Sequence, residues 1–176
     1  MSLITLRPWT SEDLPSLLTY ADNQKIARNL TNRFPHPYTE DDARWFVGFA
    51  SDESDKLIRA IDLRGEAIGS IGLHLQNDVF FRNAELGYWL GEPFWGKGIA
   101  TEAVRQMLKL GFDYYPFINR IFARPFGSNI GSQRLLEKSG FQLEAHFKGT
   151  LDKYGVVEDE LVYGVRRDFY ELTLKY

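Results

Sequence analysis

A short run between positions 95 and 101 has the composition of an anion-binding loop. It reads Trp95-Gly96-Lys97-Gly98-Ile99-Ala100-Thr101 and stands between a strand-like and a helix-like segment. Glycines let the backbone approach a ligand closely, and the free N–H groups at a helix start bind anions. Lys97 would add one positive charge. The run therefore predicts a pyrophosphate site or, as the plainer alternative, a tight connection between a strand and a helix.

Several other familiar sites do not fit the sequence. A P-loop requires the pattern G-x-x-x-x-G-K-[ST], which is absent, and a dinucleotide-binding fingerprint requires a third glycine where Thr101 stands. The three histidines, His36, His74 and His146, lack metal-ligand spacing, and there is no cysteine. Thiolate catalysis and cysteine-based metal sites are therefore excluded, and no metal is predicted.

Composition limits the class of protein. The chain has 176 residues, a hydrophobic fraction of 44%, a charged fraction of 26% and a net charge of −3. These values predict one globular domain over residues 1–176 and disfavour nucleic acid as a partner. No apolar stretch approaches the roughly 20 residues that span a bilayer, and the first residues lack a signal-peptide pattern. We therefore expect a cytoplasmic protein without a membrane partner.

Hydrophobic spacing predicts the elements that carry the loop. Strands are expected at 3–6, 57–63, 67–75, 83–91, 118–124, 141–150 and 157–167, with Arg166 and Arg167 as a solvated strand end. Helices are expected from Thr10 or Ser11, over 26–30, from Thr39, and over 99–112 and 131–138. Consecutive hairpins with one strand–helix–strand crossover near residue 100 favour an α/β (α+β) fold with a mixed, mainly antiparallel sheet.

Two blocks of the sequence resemble the GNAT (Gcn5-related N-acetyltransferase) superfamily. Residues 95–100 are similar to its motif Gln/Arg-x-x-Gly-x-Gly/Ala, with Trp95 in place of the first residue. Residues 129–141 are similar to the pattern Asn-x-x-Ser-x-x-x-x-Glu-Lys-x-Gly-Phe of the RimJ/RimL-type branch. The opening Leu6-Arg7-Pro8, and Asp159 before Tyr163, also match that branch. The resemblance spans essentially the whole chain.

The resemblance implies a GNAT fold with helices on both faces of the sheet, acetyl-CoA as donor and a primary amine as acceptor. In similar proteins the strand over 83–91 splays from the strand over 118–124, and the cofactor satisfies the unpaired edge. Pantetheine would pair with the first of these strands, and N–H groups of residues 97–101 would hold the pyrophosphate. The implied cofactor site comprises Trp89, Leu90, Trp95, Gly96, Lys97, Gly98, Ile99, Ala100, Thr101, Asn129 and Ser132.

Direct transfer is the implied mechanism, and it needs a base because an alkyl ammonium must lose a proton before it attacks a thioester. Glu85 is the candidate base, since strand alternation turns it away from Leu86 and Leu90. The alternatives are a water relay, or an exposed carboxylate or ion-pair partner of Arg82 or Arg124 at this position.

The departing thiolate needs a proton or a hydrogen bond. Ser132 is the candidate for this role, and the alternative is a hydroxyl that only positions the cofactor. Many GNAT enzymes carry a tyrosine acid where Leu136 stands here, so that assignment does not transfer. A backbone N–H near Leu90 is expected to stabilise the oxyanion.

The acceptor is less well specified than the donor. The branch implies a protein N-terminal α-amine of the ribosomal-protein type, with a small amine (polyamine, amino-acid or amino-sugar derivative, antibiotic) as the alternative. The loop over 29–38 borders the acceptor cleft in similar proteins, so Arg33, His36 and Tyr38 join Glu85 as candidate substrate contacts. A non-catalytic CoA-binding regulatory domain is the alternative from another class. Phe80 and Phe81 allow core packing, an acceptor contact or a homodimer contact.

Overall fold

The computed structural model describes residues 4–52 and 55–173. Within those ranges the strands are β1 (Thr5–Arg7), β2 (Lys56–Leu63), β3 (Glu66–Leu75), β4 (Asn83–Leu90), β5 (Arg120–Ala123), β6 (Gln142–Lys153) and β7 (Val156–Arg166). The helices are α1 (Leu14–Ala21), α2 (Gln24–Ala27), α3 (Glu40–Ser51), α4 (Ile99–Tyr114), α5 (Ile130–Lys138) and α6 (Arg167–Thr173). Leu3, which belongs to the first predicted strand, lies outside the described residues.

These strands form one sheet in the order β1-β2-β3-β4-β5-β7-β6. Short polar turns join β2 to β3 and β6 to β7, so those pairs are antiparallel hairpins. The pair β4 and β5 is parallel because the chain returns across the sheet through α4 between them. The predicted mixed, mainly antiparallel sheet is confirmed.

Helices cover both faces of the sheet, as predicted, because β4 alternates apolar side chains between two cores. Leu86 and Leu90 pack on one face with α4, which contributes Met107 among other buried residues. Trp89 packs on the opposite face with Leu17 of α1 and residues of α3. Alternate side chains of β4 therefore project from opposite faces of the sheet.

The C-terminal end differs from the prediction of a solvated strand end. Arg166 is exposed and pairs with Asp168, as expected of a solvated residue. Arg167 instead begins α6, and its guanidinium donates to the carbonyl oxygens of Ile118 at 2.8 Å and Phe112 at 3.0 Å. These carbonyl oxygens lie 49 and 55 positions before Arg167 in the chain. The sequence neighbours of Arg167 therefore do not reveal this role.

Several strand ends also differ from the prediction. β6 runs to Lys153 rather than residue 150, and β7 begins at Val156. The hairpin closes through Tyr154 and Gly155, whose φ angles are +54° and +81°. Two successive residues with positive φ make the tight turn that keeps both strands paired to the tip, so the connection is shorter than the predicted gap between residues 150 and 157.

Candidate active site

A cleft opens where β4 and β5 separate. Their parallel pairing covers Asn83, Ala84 and Glu85 opposite residues 120–122, and β4 then continues to Leu90 paired with β3 but not with β5. A cavity of about 700 Å³ occupies the gap, lined by residues 85–90 of β4, residues 123–126 after β5, and the starts of α4 and α5. The predicted splay of this strand pair therefore creates a space large enough for an extended ligand.

The backbone of β4 offers hydrogen bonds to this cleft. Gly91 N–H donates to Ile68 O on the β3 side at 2.8 Å, and successive residues of a strand turn their polar groups to opposite sides. The N–H and C=O groups of Tyr88 and Leu90 therefore face the cleft. One of them is already used, because the Trp95 indole N–H donates to Leu90 O at 2.7 Å.

The start of α4 presents its backbone to the same cleft. Gly98 caps the helix with a φ of +76°, and no side chain caps the first turn. Gly96 also has a positive φ, of +72°. The first N–H groups of an α-helix have no partner within the helix, so those of Ile99, Ala100 and Thr101 could donate to an anion bound in the cleft.

The start of α5 lies across the cleft and is built differently. Asn129 caps this helix, and its Oδ1 accepts from Ser132 N–H at 3.1 Å. The Ser132 hydroxyl lies 2.6 Å from the Tyr88 hydroxyl of β4. Burial raises the pKa of Tyr88 to about 12, so its phenol is neutral at physiological pH.

The hairpin β6–β7 holds the loop that leads into α5. Gly127 N–H donates to Asp159 O at 2.8 Å. The Asp159 carboxylate lies 2.6 Å from His146 Nε2 and accepts from Gly149 N–H at 2.8 Å. The hydrogen bond from His146 is the largest cause that lowers the pKa of Asp159. Asp159 therefore links both strands of the hairpin to the loop.

Glu85 lines the cleft on the face opposite Ser132. Both of its carboxylate oxygens accept from the Arg124 guanidinium, at 2.9 Å each, and Arg124 also lies 3.6 Å from Glu160. This pairing raises the pKa of Arg124. One of the alternatives expected for Glu85, an ion pair with Arg124, is thus present, while Glu85 keeps its place in the cleft.

The structure brings most of the predicted cofactor residues together. The cleft wall contains both catalytic candidates, Glu85 and Ser132, and every predicted cofactor residue except Lys97: Trp89, Leu90, Trp95, Gly96, Gly98, Ile99, Ala100, Thr101 and Asn129. Lys97 turns back, and its ammonium donates to Pro93 O at 2.8 Å. The positive charge predicted for the anion loop is therefore directed at a carbonyl of the same loop.

The predicted acceptor contacts are not brought together with Glu85. Arg33, His36 and Tyr38 are absent from the cleft wall. His36 pairs with Asp22 at 3.1 Å, and Tyr38 is buried at 7% exposure with its ring 5.3 Å from that of Phe34. Their contact with an acceptor stays a prediction that this arrangement does not support.

Sequence reasoning missed several residues of the wall. Tyr88 is not among the predicted site residues, and its hydroxyl partner Ser132 lies 44 positions away. Arg134 and Lys138 of α5 line the cleft as well. Arg134 and Lys138 are four residues apart, which places them on the same side of the predicted helix. This spacing is the one sequence signal for them. Within the described ranges, no group of three metal-binding side chains forms.

Comparison with known proteins identifies the family. A family model described as "Acetyltransferase (GNAT) domain" matches residues 4–142. The chain therefore belongs to the GNAT acetyltransferase family and is an acyltransferase that uses acetyl-CoA. This confirms the predicted superfamily, enzyme class and donor, whereas the RimJ/RimL-type branch stays a prediction.

Individual relatives agree with the family but differ in acceptor. An uncharacterised N-acetyltransferase, p20 of Bacillus licheniformis, is 30% identical over 167 residues, 90% of this chain and 88% of the relative. The RimL ribosomal L7/L12 α-N-protein acetyltransferase with coenzyme A shares the fold with a TM-score of 0.82 at 19% identity, over 96% and 97% of the two chains. Spermidine N-acetyltransferase of Vibrio cholerae, bound to CoA and spermine, has a TM-score of 0.81 at 20% identity, over 97% and 99%.

Proposed function

We propose that acetyl transfer takes place in the cleft between β4 and β5 and that the acceptor is a protein N-terminal α-amine. The observation that carries the site is the divergence of β4 from β5 in front of the α4 start. The N–H groups of residues 99–101 would hold the donor's pyrophosphate, and the free backbone groups of β4 would pair with pantetheine. Acetyl-CoA supplies an acetyl thioester to this site.

The charge of the cleft wall bears on the acceptor. Among the described residues that form the wall, Glu85 is the one carboxylate, whereas the cations are Lys25, Arg28, Arg124, Arg134 and Lys138. Such a wall suits the phosphates of the donor and repels a polycation. A single α-amine therefore fits better than a polyamine. The alternative, a small amine that carries a carboxylate, is favoured by the same wall.

The two candidate catalytic groups stand on opposite faces of β4. Glu85 would take the proton of the attacking ammonium, directly or through one water, from the side of α1 and α3. A backbone N–H of Tyr88 or Leu90 would stabilise the oxyanion between them. Ser132 would give its hydrogen bond to the sulfur on the side of α5. The ion pair with Arg124 keeps Glu85 in place.

The direct test is thermal stabilisation by acetyl-CoA and CoA, followed by thiol release in the same samples. Acceptors are a peptide with a free N-terminal serine, its N-acetylated form, spermidine and free amino acids. We expect stabilisation by both donors and thiol release with the free peptide alone. Release with spermidine or an amino acid would replace the proposed acceptor, and stabilisation without release by any acceptor would favour the non-catalytic alternative.

The role of Glu85 is tested by Glu85→Gln, with Glu66→Gln as control. Glu66 is a strand carboxylate that accepts from Tyr20 and takes no part in the cleft. We expect kcat to fall about 100-fold or more in Glu85→Gln, with the dissociation constant of CoA unchanged, and neither value to change in Glu66→Gln. Unchanged turnover in Glu85→Gln would remove Glu85 as the base.

Three further expectations stay predictions. A homodimer contact is consistent with Phe80 and Phe81, which are 64% and 47% exposed. The absence of a nucleic-acid partner and the cytoplasmic location rest on the sequence. In the part of the chain that the structure describes, no helix has the length and apolar character required to cross a membrane.

A further inference from the structure

A hydrogen bond joins the two walls of the cleft beside the predicted sulfur position. Tyr88 of β4 and Ser132 of α5 place their hydroxyl oxygens 2.6 Å apart. The two residues are 44 positions apart in sequence. Both residues line the cleft. The hydrogen bond therefore holds the Ser132 side chain in the part of the cleft where the cofactor is proposed to lie.

The direction of this bond follows from the chemistry of the two hydroxyls. The lone pairs of a phenol oxygen are delocalised into the ring, so a phenol is a better donor and a poorer acceptor than an alkyl hydroxyl. Burial raises the pKa of Tyr88 to about 12, which keeps its proton in place at physiological pH. This chemistry favours Tyr88 as the donor to Ser132 Oγ, which leaves the serine proton free for another acceptor.

The position of Ser132 in its helix supports this assignment. Three other hydroxyls, within a helix or at its end, donate backwards to the carbonyl four residues before: Thr19 to Pro15, Ser51 to Val47 and Ser139 to Leu135. Ser132 lies in the first turn of α5, where the residue four positions earlier, Ser128, precedes the helix. No helical carbonyl is there to take its proton, so the proton can point into the cleft.

The rest of α5 brings no second hydroxyl to this point. Leu136, where many similar enzymes carry a tyrosine, has 0% exposure and packs in the core. A tyrosine hydroxyl reaches the same neighbourhood from β4 instead. Two hydroxyl groups, one from β4 and one from α5, thus lie at the end of the cleft where the donor sulfur is predicted.

We propose that Tyr88 is a positioning residue, whose hydroxyl holds Ser132 Oγ and turns the serine proton toward the departing sulfur. This inference rests on the proposed function of the cleft. It predicts that the two hydroxyls act as one unit. The loss of Tyr88's hydroxyl should weaken the chemical step and leave donor binding intact, because the ring and the cleft wall remain.

The test is a double-mutant cycle of Tyr88→Phe and Ser132→Ala, measured with acetyl-CoA and the acceptor that gives the fastest thiol release. We expect kcat to fall about tenfold in Tyr88→Phe and at least as far in Ser132→Ala, with the KM for acetyl-CoA within about twofold of wild type. Adding Tyr88→Phe to Ser132→Ala should lower kcat by less than about twofold more, since the group that Tyr88 positions is gone.

Tyr163→Phe is the matched control. Tyr163 is also buried, at 2% exposure, and its hydroxyl donates to Glu137 at 3.1 Å, away from the cleft wall. We expect its kcat to stay within about twofold of wild type, whatever its melting temperature. Melting curves with and without CoA check that each variant folds and binds.

The outcomes separate this inference from the proposed function. Thiol release by wild type with an unchanged kcat in Tyr88→Phe would overturn the inference alone. An equal loss from Tyr88→Phe with and without the Ser132 hydroxyl would also overturn it, because the effect would then not pass through Ser132. Binding of CoA by wild type with no thiol release for any acceptor would overturn the proposed function and the inference with it.

Discussion

Two helices begin at the cleft, and they begin in different ways. The α4 start has Gly98 with a φ of +76° and no capping side chain. The α5 start has Asn129, whose Oδ1 occupies the N–H of Ser132. Both starts follow a loop after a strand of the same parallel pair, β4 and β5. Their positive ends therefore point to the same space, but only one of them leaves its first-turn N–H groups free of a side-chain cap.

The difference separates two tasks. An uncapped start offers backbone N–H groups to an anion, and any side chain placed there would compete with that anion. A capped helix start has fewer free N–H groups for an anion. Its cap fixes the first turn, so that turn can hold a hydroxyl group at a defined position. We infer that α4 binds the phosphates of the donor and that α5 positions Ser132.

The largest effect is expected from a change at the α4 start. Gly98→Val cannot keep the positive φ without strain, so the first-turn N–H groups would move. Hydrogen bonds to charged groups contribute about 1.5–3 kcal/mol each, so the loss of two predicts a rise of about 100-fold or more in the CoA dissociation constant. Isothermal titration calorimetry measures it.

Gly65→Val is the control for that change. Gly65 also has a positive φ, of +93°, but it lies in the turn between β2 and β3. The control should lower the melting temperature and leave the affinity for CoA unaltered. Equal affinities in both variants would show that the α4 start does not bind the donor.

A smaller effect is expected where α5 adds charge through side chains. Arg134→Gln removes a cation of the cleft wall, and we expect the affinity for CoA to fall about three- to tenfold at low ionic strength. The loss should shrink in about 0.5 M salt, which screens charges. Arg166→Gln, at an exposed arginine paired with Asp168, is the control and should change nothing. A salt-independent loss would argue against a phosphate contact.

The cap of α5 is tested by Asn129→Ala against Asn129→Ser. Alanine removes the acceptor of Ser132 N–H and should cost about 1 kcal/mol, or about 2–4 °C in melting temperature. The kcat, measured by the rate of thiol release, should also fall because Ser132 is held less firmly. Serine restores the cap, so it should recover most of both losses. Equal damage from serine would indicate that the Asn129 amide contacts the donor, as the resemblance implies.

The smallest effect is expected from Asp159, which holds the loop that leads into α5. The pKa of Asp159 is below its ordinary value of 3.8, chiefly through His146, so the ionised form stabilises the native state. That stability is present above about pH 4 and is lost as the pH falls through the lowered pKa. Asp159→Asn should therefore melt lower at pH 7 and lose less between about pH 5 and pH 3. Curves of melting temperature against pH that run parallel for the two proteins would contradict a stabilising role of the Asp159 carboxylate.

The predicted donor residues lie together in the cleft because most of them are close in sequence. Gly96, Gly98 and the first turn of α4 form one continuous segment, whose backbone is proposed to bind the donor. The acceptor half depends on contacts between distant segments. The ion pair of Glu85 with Arg124 spans 39 positions, and no local pattern selects Arg124 over Arg82 as the partner.

The same limit applies to the predicted acceptor contacts, which lie outside the cleft wall. Arg33, His36 and Tyr38 belong to a loop whose path sequence patterns do not define. Tyr38 has a polar end that suits a binding site and a ring that suits a core, and the ring packs beside Phe34 at 7% exposure. Burial of a large aromatic ring outweighs the freedom of its hydroxyl.

The sequence by itself determined the sheet, the helices before α6 and the glycine-containing loop, because alternation, helical spacing and glycine at positive φ act over a few residues. Tertiary structure decided which distant groups meet: Tyr88 with Ser132 and Glu85 with Arg124 in the cleft, and Arg167 with carbonyls at the C-terminal end of α4. The physical reason is that a hydrogen bond or ion pair depends on distances of about 3 Å between atoms. Only the packing of whole elements against one another sets such distances across the fold.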